Sequence, residues 1–198
     1  MSALQEIAPG LHRWTAFHEQ WNEEVGCLAL ETGDGLVLVD PLEPPPSLRK
    51  PRHVLITVFW HYRASAGVAA REIWADRRGV RRLRNRGVEV TQPIDDSTTL
   101  PGGIRHVSTA RDAEIVFWLP PQQAVAVGDV LLGAGAKPGA TDDSLRLCPE
   151  RWLGDKTHED LRASLRPLLS LPVRRVLVSH GEPLLRGGKA ALTSALGR

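Results

Sequence analysis

Residues 24–30 alternate loosely between apolar and polar side chains, and residues 36–40 resume that pattern after Gly33-Asp34-Gly35. Two extended runs joined by glycine predict a β-hairpin, because glycine adopts the positive φ of a tight turn at little cost. Pro44-Pro45-Pro46 then excludes regular structure and predicts a stiff connection. Residues 53–59 form a short apolar run rich in β-branched side chains, the pattern of a buried strand. Between Ala64 and about Arg78 the spacing turns helical, with Gly79 placed as a stop, and residues 88–90 read as a short strand.

The second half repeats the theme. Residues 114–119 and 124–128 flank Pro120-Pro121-Gln122-Gln123 and predict a second hairpin. Thr157 with Asp160 resembles a capping box, with Asp in place of Glu, ahead of a helix over 161–169. Residues 173–179 predict another buried strand, and 187–196 a closing helix. Strands dominate both halves, each followed by a helix, which suits two sheets packed face to face with helices outside. At 198 residues the chain has room for one well-buried domain, 1–198, and not for two comfortable ones.

Three segments sharpen this α/β reading. Leu36-Val37-Leu38-Val39-Asp40, then His53-Val54-Leu55-Ile56-Thr57 entering a loop, resemble the opening third of metallo-β-lactamase-fold hydrolases. Val127-Gly128-Asp129-Val130 resembles their central Gly-Asp element, and Val176-Leu177-Val178-Ser179-His180-Gly181 their last strand with its terminal His. In order and spacing the three cover the chain from about Leu11 to His180. The resemblance implies an αββα four-layer sandwich, two mixed β-sheets with helices outside.

It also implies where a metal centre should lie. In that family the loop after the 53–57 strand reads His-x-His-x-Asp-His, since zinc needs imidazole and carboxylate donors at about 2.0–2.2 Å. A water on that ion, its pKa lowered towards about 7, supplies the nucleophile. Here the stretch reads Val58-Phe59-Trp60-His61-Tyr62-Arg63, with Val58, Trp60, Tyr62 and Arg63 at the four ligand positions. The further His expected before the second hairpin falls near Ala110, and the nearest histidine is His106. Only the bridging carboxylate, Asp129, and the terminal ligand, His180, stand at matching positions.

The expectation is therefore a metallo-β-lactamase-fold protein that has lost the binuclear centre, a pseudoenzyme or small-ligand-binding descendant of a metallohydrolase. Its ligand pocket would use Trp60, His61, Tyr62, Arg63, Asp129 and His180. The alternative is an active hydrolase with a remodelled mononuclear or metal-free site on His61, Asp129 and His180, and zinc is the cofactor in that case alone. Arg63 is expected to take over the ion's charge by pairing with Asp129, because a buried carboxylate needs a cation. The other reading sends Arg63 to solvent. His61 reads either as a displaced ligand or as a polar residue on the pocket rim. Phe59, Trp60 and Tyr62 are expected to line or plug the old metal cavity. Glu182, after Gly181, reads as a rim carboxylate or as a helix-entry residue before Pro183.

Charge adds one feature. The net charge is +2, but Arg outnumbers Lys 21 to 4, and six arginines crowd together at Arg77, Arg78, Arg81, Arg82, Arg84 and Arg86. Such a cluster suits an acidic partner or a solvated helix end. Near-neutral overall charge argues against nucleic acid. Cys27 and Cys148 match no paired spacing, and the N-terminus has neither a basic segment nor an apolar core. Free thiols and a cytoplasmic location are expected, with no membrane association. Substrate and oligomeric state leave no mark on the sequence.

Overall fold

The computed structural model describes residues 3–137, 139–141 and 144–197. The chain divides into two compact units, Met1–Ile104 and Arg105–Arg198.

The N-terminal unit is one seven-stranded mixed sheet whose strands lie in chain order. Strands β1 (Gln5–Ala8), β2 (Leu11–His18), β3 (Glu23–Thr32) and β4 (Gly35–Val39) run antiparallel. Strands β5 (His53–Ile56), β6 (Glu72–Asp76) and β7 (Gln92–Ile94) continue from β4 in parallel. The expected hairpin is the β3–β4 pair. Alternate residues Cys27/Ala29, Leu36/Leu38 and Val54/Ile56 fill one cluster, as a period of two requires. The intervening Leu28, Val37, Val39 and Leu55 are buried as well, so the central strands read as continuous apolar runs.

Three expectations fail here. No helix spans 64–78: turns lead into β6, and the only α-helix of this unit among the described residues, α1 (Val80–Arg84), starts beyond Gly79. Parallel pairing on both sides of β6 buries Trp74 and Ala75, which outweighs local helix propensity. Gly79 keeps a helical backbone (φ −87°, ψ −15°) and stops nothing. The short strand lies at 92–94, not 88–90, with Pro93 tolerated because β7 is the sheet edge. The 53–59 run also divides, since β5 ends at Ile56 and Phe59–Tyr62 coils into a 3-10 turn.

In the C-terminal unit, β8 (Arg105–Ser108), β9 (Ile115–Leu119) and β10 (Ala124–Val127) form an antiparallel meander. A two-stranded ribbon, β11 (Leu131–Gly133) with β12 (Leu145–Leu147), follows. Helix α2 (His158–Leu165) opens with the full Thr157–Asp160 capping box. Strand β13 (Arg175–Val178) then adds in parallel beside β10, and α3 (Gly188–Gly197) closes the unit. Val116, Trp118, Val125, Val127, Val176 and Val178 alternate onto the face that packs Leu161, Leu165 and Leu192 of the helices. Among the described residues no helix is long and apolar enough to cross a membrane.

Candidate functional site

Each unit buries polar groups at the ends of its central strands. In the N-terminal unit β4 and β5 lie parallel, so Asp40 and Thr57 leave the sheet side by side. Thr57 donates from its backbone nitrogen to Asp40 Oδ1 at 2.9 Å and from its hydroxyl to Oδ2. His61 Nδ1 lies 2.9 Å from that same Oδ2. An ionised carboxylate only accepts, so the ring Nδ1–H is the donor in this contact. The 3-10 turn brings it there, through His61 N donating to Val58 O at 2.8 Å. His61 is 0% exposed, so it is no rim residue.

Arg63 ends the turn at φ 38°, ψ −118°, a conformation that costs a non-glycine residue about 1–3 kcal/mol. Its guanidinium offsets that by donating to Asp40 O at 2.9 Å and Gly26 O at 3.2 Å, with Cys27 Sγ at 3.7 Å. Burial pushes the Cys27 thiol up, against a smaller opposite pull from Arg63. Arg63 therefore does not swing away to solvent.

The aromatic residues of the loop make contacts within their own unit. Phe59 and Tyr62 pack against the N-terminal core cluster that includes Leu83 of α1. Arg82 and Arg86 stack on the Phe59 ring at 4.2 and 5.3 Å, and Arg86 on Tyr62 at 5.8 Å. Trp60 makes an edge contact with Phe59 at 4.5 Å between centroids. Val58 is buried and offers no donor atom.

The C-terminal unit holds a second array. Arg111, 7% exposed, stands three residues before Glu114 at the entrance to β9. Its Nη1 lies 2.9 Å from both Glu114 Oε2 and Asp129 Oδ2, and Nε donates to Trp152 O at 3.1 Å. Glu114 Oε1 accepts from the backbone nitrogens of Asp129 and Val130 at 2.6 and 2.8 Å, which fixes the turn carrying Asp129. Asp129 Oδ1 lies 3.1 Å from His180 Nε2.

Burial works against the Arg111 charge, but Glu114 and Asp129 outweigh it and hold its pKa above the ordinary guanidinium value. Cys148, behind this array, has its thiol pushed up to about 12, chiefly by burial. Two glycines let the backbone carrying His180 approach β11. Gly181 has φ +82°, and a Cβ there would meet Gly133 and Ala134 carbonyl oxygens at 2.6 Å. A Cβ on Gly133 would meet Glu182 O at 2.2 Å, so neither position tolerates a side chain.

Asp129 and His180 meet in the C-terminal unit, and Trp60, His61, Tyr62 and Arg63 are residues of the N-terminal unit. Ala110, where a ligand His was expected, gives only its backbone nitrogen, to Ser164 Oγ at 2.9 Å. His106 sits half-buried in β8 opposite Phe117. Glu182 serves structurally, its backbone bridging to Ala134. Sequence reasoning missed Arg111 and Glu114 altogether. Their signal was an acid at the mouth of an apolar strand with an arginine three residues before it. It also gave no role to Asp40 and Thr57, although both stood inside the quoted motifs.

No protein-family model and no curated protein matches the chain. Its architecture does match solved structures. The FIM-1 metallo-β-lactamase of Pseudomonas aeruginosa, solved in a mono-zinc form, aligns with a TM-score of 0.67 at 19% identity, over 98% of this chain and 93% of that one. A metallo-β-lactamase from Pontibacter korlensis gives 0.67 at 17%, covering 99% of both chains. A metallo-β-lactamase family protein from Thermus thermophilus gives 0.66 at 17%, over 97% of this chain and 80% of that one. The chain has the metallo-β-lactamase fold, with two mixed sheets and helices, as the three motifs implied. At these identities the likeness is one of fold.

Proposed function

We propose that this is a metallo-β-lactamase-fold protein without the binuclear metal centre, a descendant of a metallohydrolase that binds a small polar molecule rather than hydrolysing one through zinc. The observation that carries the reading is the placement of Arg111 Nη1, 2.9 Å from both Glu114 and Asp129. A divalent ion and a guanidinium both neutralise buried carboxylates, and Asp129 Oδ2 already has the guanidinium. The donor chemistry agrees. Val58 and Trp60 offer no metal ligand, Ala110 offers none, and Arg63 is a permanent cation at a position the family gives to a ligand. The residues present do not fit a two-metal centre. What they supply instead is carboxylate, imidazole and guanidinium held in fixed geometry, suited to hydrogen-bonding a polar ligand.

Elemental analysis of mildly purified protein tests this. Zinc, iron and manganese are expected well below one atom per chain, with no chelator-sensitive hydrolysis of a β-lactam. One bound metal per chain would overturn the reading in favour of a hydrolase whose mononuclear site uses His61, Asp129 and His180.

A further inference from the structure

We infer that the arginines between residues 77 and 86 form a docking surface of the N-terminal unit for an acidic segment of another protein, which meets it through several carboxylates. The inference goes beyond the reading above and uses none of the residues on which that reading rests.

The surface runs from the end of β6 into α1. Arg78 grips the carboxylate of Asp76 through Nε and Nη2 at 2.6–3.1 Å, and Arg77 reaches Asp95 at 3.3 Å. Past those two pairs the arginines outrun the acids of the segment. Among the described residues Arg81, Arg84 and Arg86 meet no carboxylate, and all three are exposed. Arg82 and Arg86 stand four residues apart and Arg81 and Arg84 three, spacings at which like charges on a helix repel. The dipole of a helix as short as Val80–Arg84 favours a cation or two at its C-terminal end, not six arginines in succession around it.

The guanidinium groups are also held in place. Arg82 lies 4.2 Å from the Phe59 ring centroid, and Arg86 lies 5.3 Å from Phe59 and 5.8 Å from Tyr62. Both rings pack against the core cluster that includes Leu83 of α1. Stacking engages the face of a guanidinium and leaves its N–H edge able to donate. A side chain restrained in this way loses less rotamer freedom when it binds.

The chemistry selects the partner. An arginine fork matches a carboxylate with two parallel hydrogen bonds. Nucleic acid uses aromatic faces to stack its bases, and here Phe59 and Tyr62 carry arginines instead. A net charge of +2 gives the chain little long-range field with which to gather a polyanion. An anionic membrane takes up apolar side chains as well, and the exposed large hydrophobics among the described residues, Phe17 and Leu185, belong to other segments.

The test is fluorescence anisotropy of the full chain with a labelled oligoglutamate peptide, with oligolysine as the blank. Binding is expected at low salt and should weaken as salt is raised. Arg81→Glu combined with Arg84→Glu should lower the affinity at least tenfold. Arg174→Glu combined with Arg186→Glu, an equal charge change at exposed arginines of the C-terminal unit, should leave it within twofold. Circular dichroism follows the folding of each variant, and Arg81→Gln with Arg84→Gln, expected to lose at least threefold, replaces the charge reversal if that variant does not fold. Failure of the wild type to bind at low salt overturns the inference, and so does equal weakening in the two charge-reversed variants. Tighter binding of an oligodeoxynucleotide of matching charge would give the surface to nucleic acid, and tighter binding of phosphatidylserine vesicles would give it to a membrane. Either result sinks the acidic-protein partner.

Discussion

The two units solve one problem, a buried aspartate at the end of a central strand, in opposite ways. In the N-terminal unit Asp40 accepts from Thr57 and from the His61 ring, while the nearby Arg63 donates to backbone carbonyls. In the C-terminal unit Asp129 shares a true ion pair with Arg111, and Glu114 competes for the same nitrogen. The first arrangement places no guanidinium on the carboxylate. The second cannot do without one, because buried charge is costly unless neutralised.

The largest expected effect follows from that difference. Removing Arg111 by mutation to Ala takes a guanidinium away from two buried carboxylates and should cost about 3–5 kcal/mol. Arg63→Ala takes a charged donor from the Asp40 and Gly26 carbonyls, a loss of about 1.5–3 kcal/mol. Chemical denaturation of both variants in metal-free buffer gives the ranking. Equal losses would erase the contrast between the units.

Neutralising the aspartates should reverse the order. Asp40→Asn puts an amide where three donor contacts converge, so at least one donor loses its acceptor, at about 1–3 kcal/mol. Asp129→Asn leaves Arg111 paired with Glu114, so its cost should stay below about 1 kcal/mol. If Asp129→Asn proves the more damaging, the charge-sharing account of the C-terminal unit is wrong, whatever Arg111→Ala does.

How much of this the sequence disclosed depended on range. Elements whose signal is local came through: the Gly33–Gly35 turn, the hairpin around Pro120, the Thr157 cap and the apolar run before His180. Strand β6 did not, because its burial comes from neighbours in the sheet, while its own residues also fit a helix. The candidate site followed the same rule. Asp129 and His180 stood at motif positions, and the substitutions at Val58 and Trp60 could be read directly. Arg111, the cation that Asp129 has within its own unit, was not foreseen, because a motif names ligand positions and not the side chains around them. Arg111 reaches Asp129 across 18 residues of chain through a hairpin, a contact that no spacing rule encodes.

The smallest expected effects lie at the surface, where each unit holds one turn carboxylate below the ordinary aspartate value of about 3.9. In the N-terminal unit Ser97 and Thr98 do this to Asp95, mainly through the Ser97 hydroxyl and amide. In the C-terminal unit the Thr157 amide and then its hydroxyl do it to Asp160. A carboxyl whose pKa is lowered by folding stabilises the folded state above its unfolded pKa, and that support is lost as pH falls through the lower, folded value. Stability should therefore hold down to about pH 4 and decline below it through both groups. Thr157→Ala should cost about 1 kcal/mol at neutral pH by removing the helix cap, and it should flatten the acid-side decline. Asp95→Asn should flatten that decline through the N-terminal unit and leave the α2 cap intact. Denaturant midpoints measured from pH 5 to pH 2 for the wild type and both variants separate the two contributions. If both variants keep the wild-type acid slope, these turns do not couple to folding, and the acid sensitivity belongs to the buried carboxylates alone.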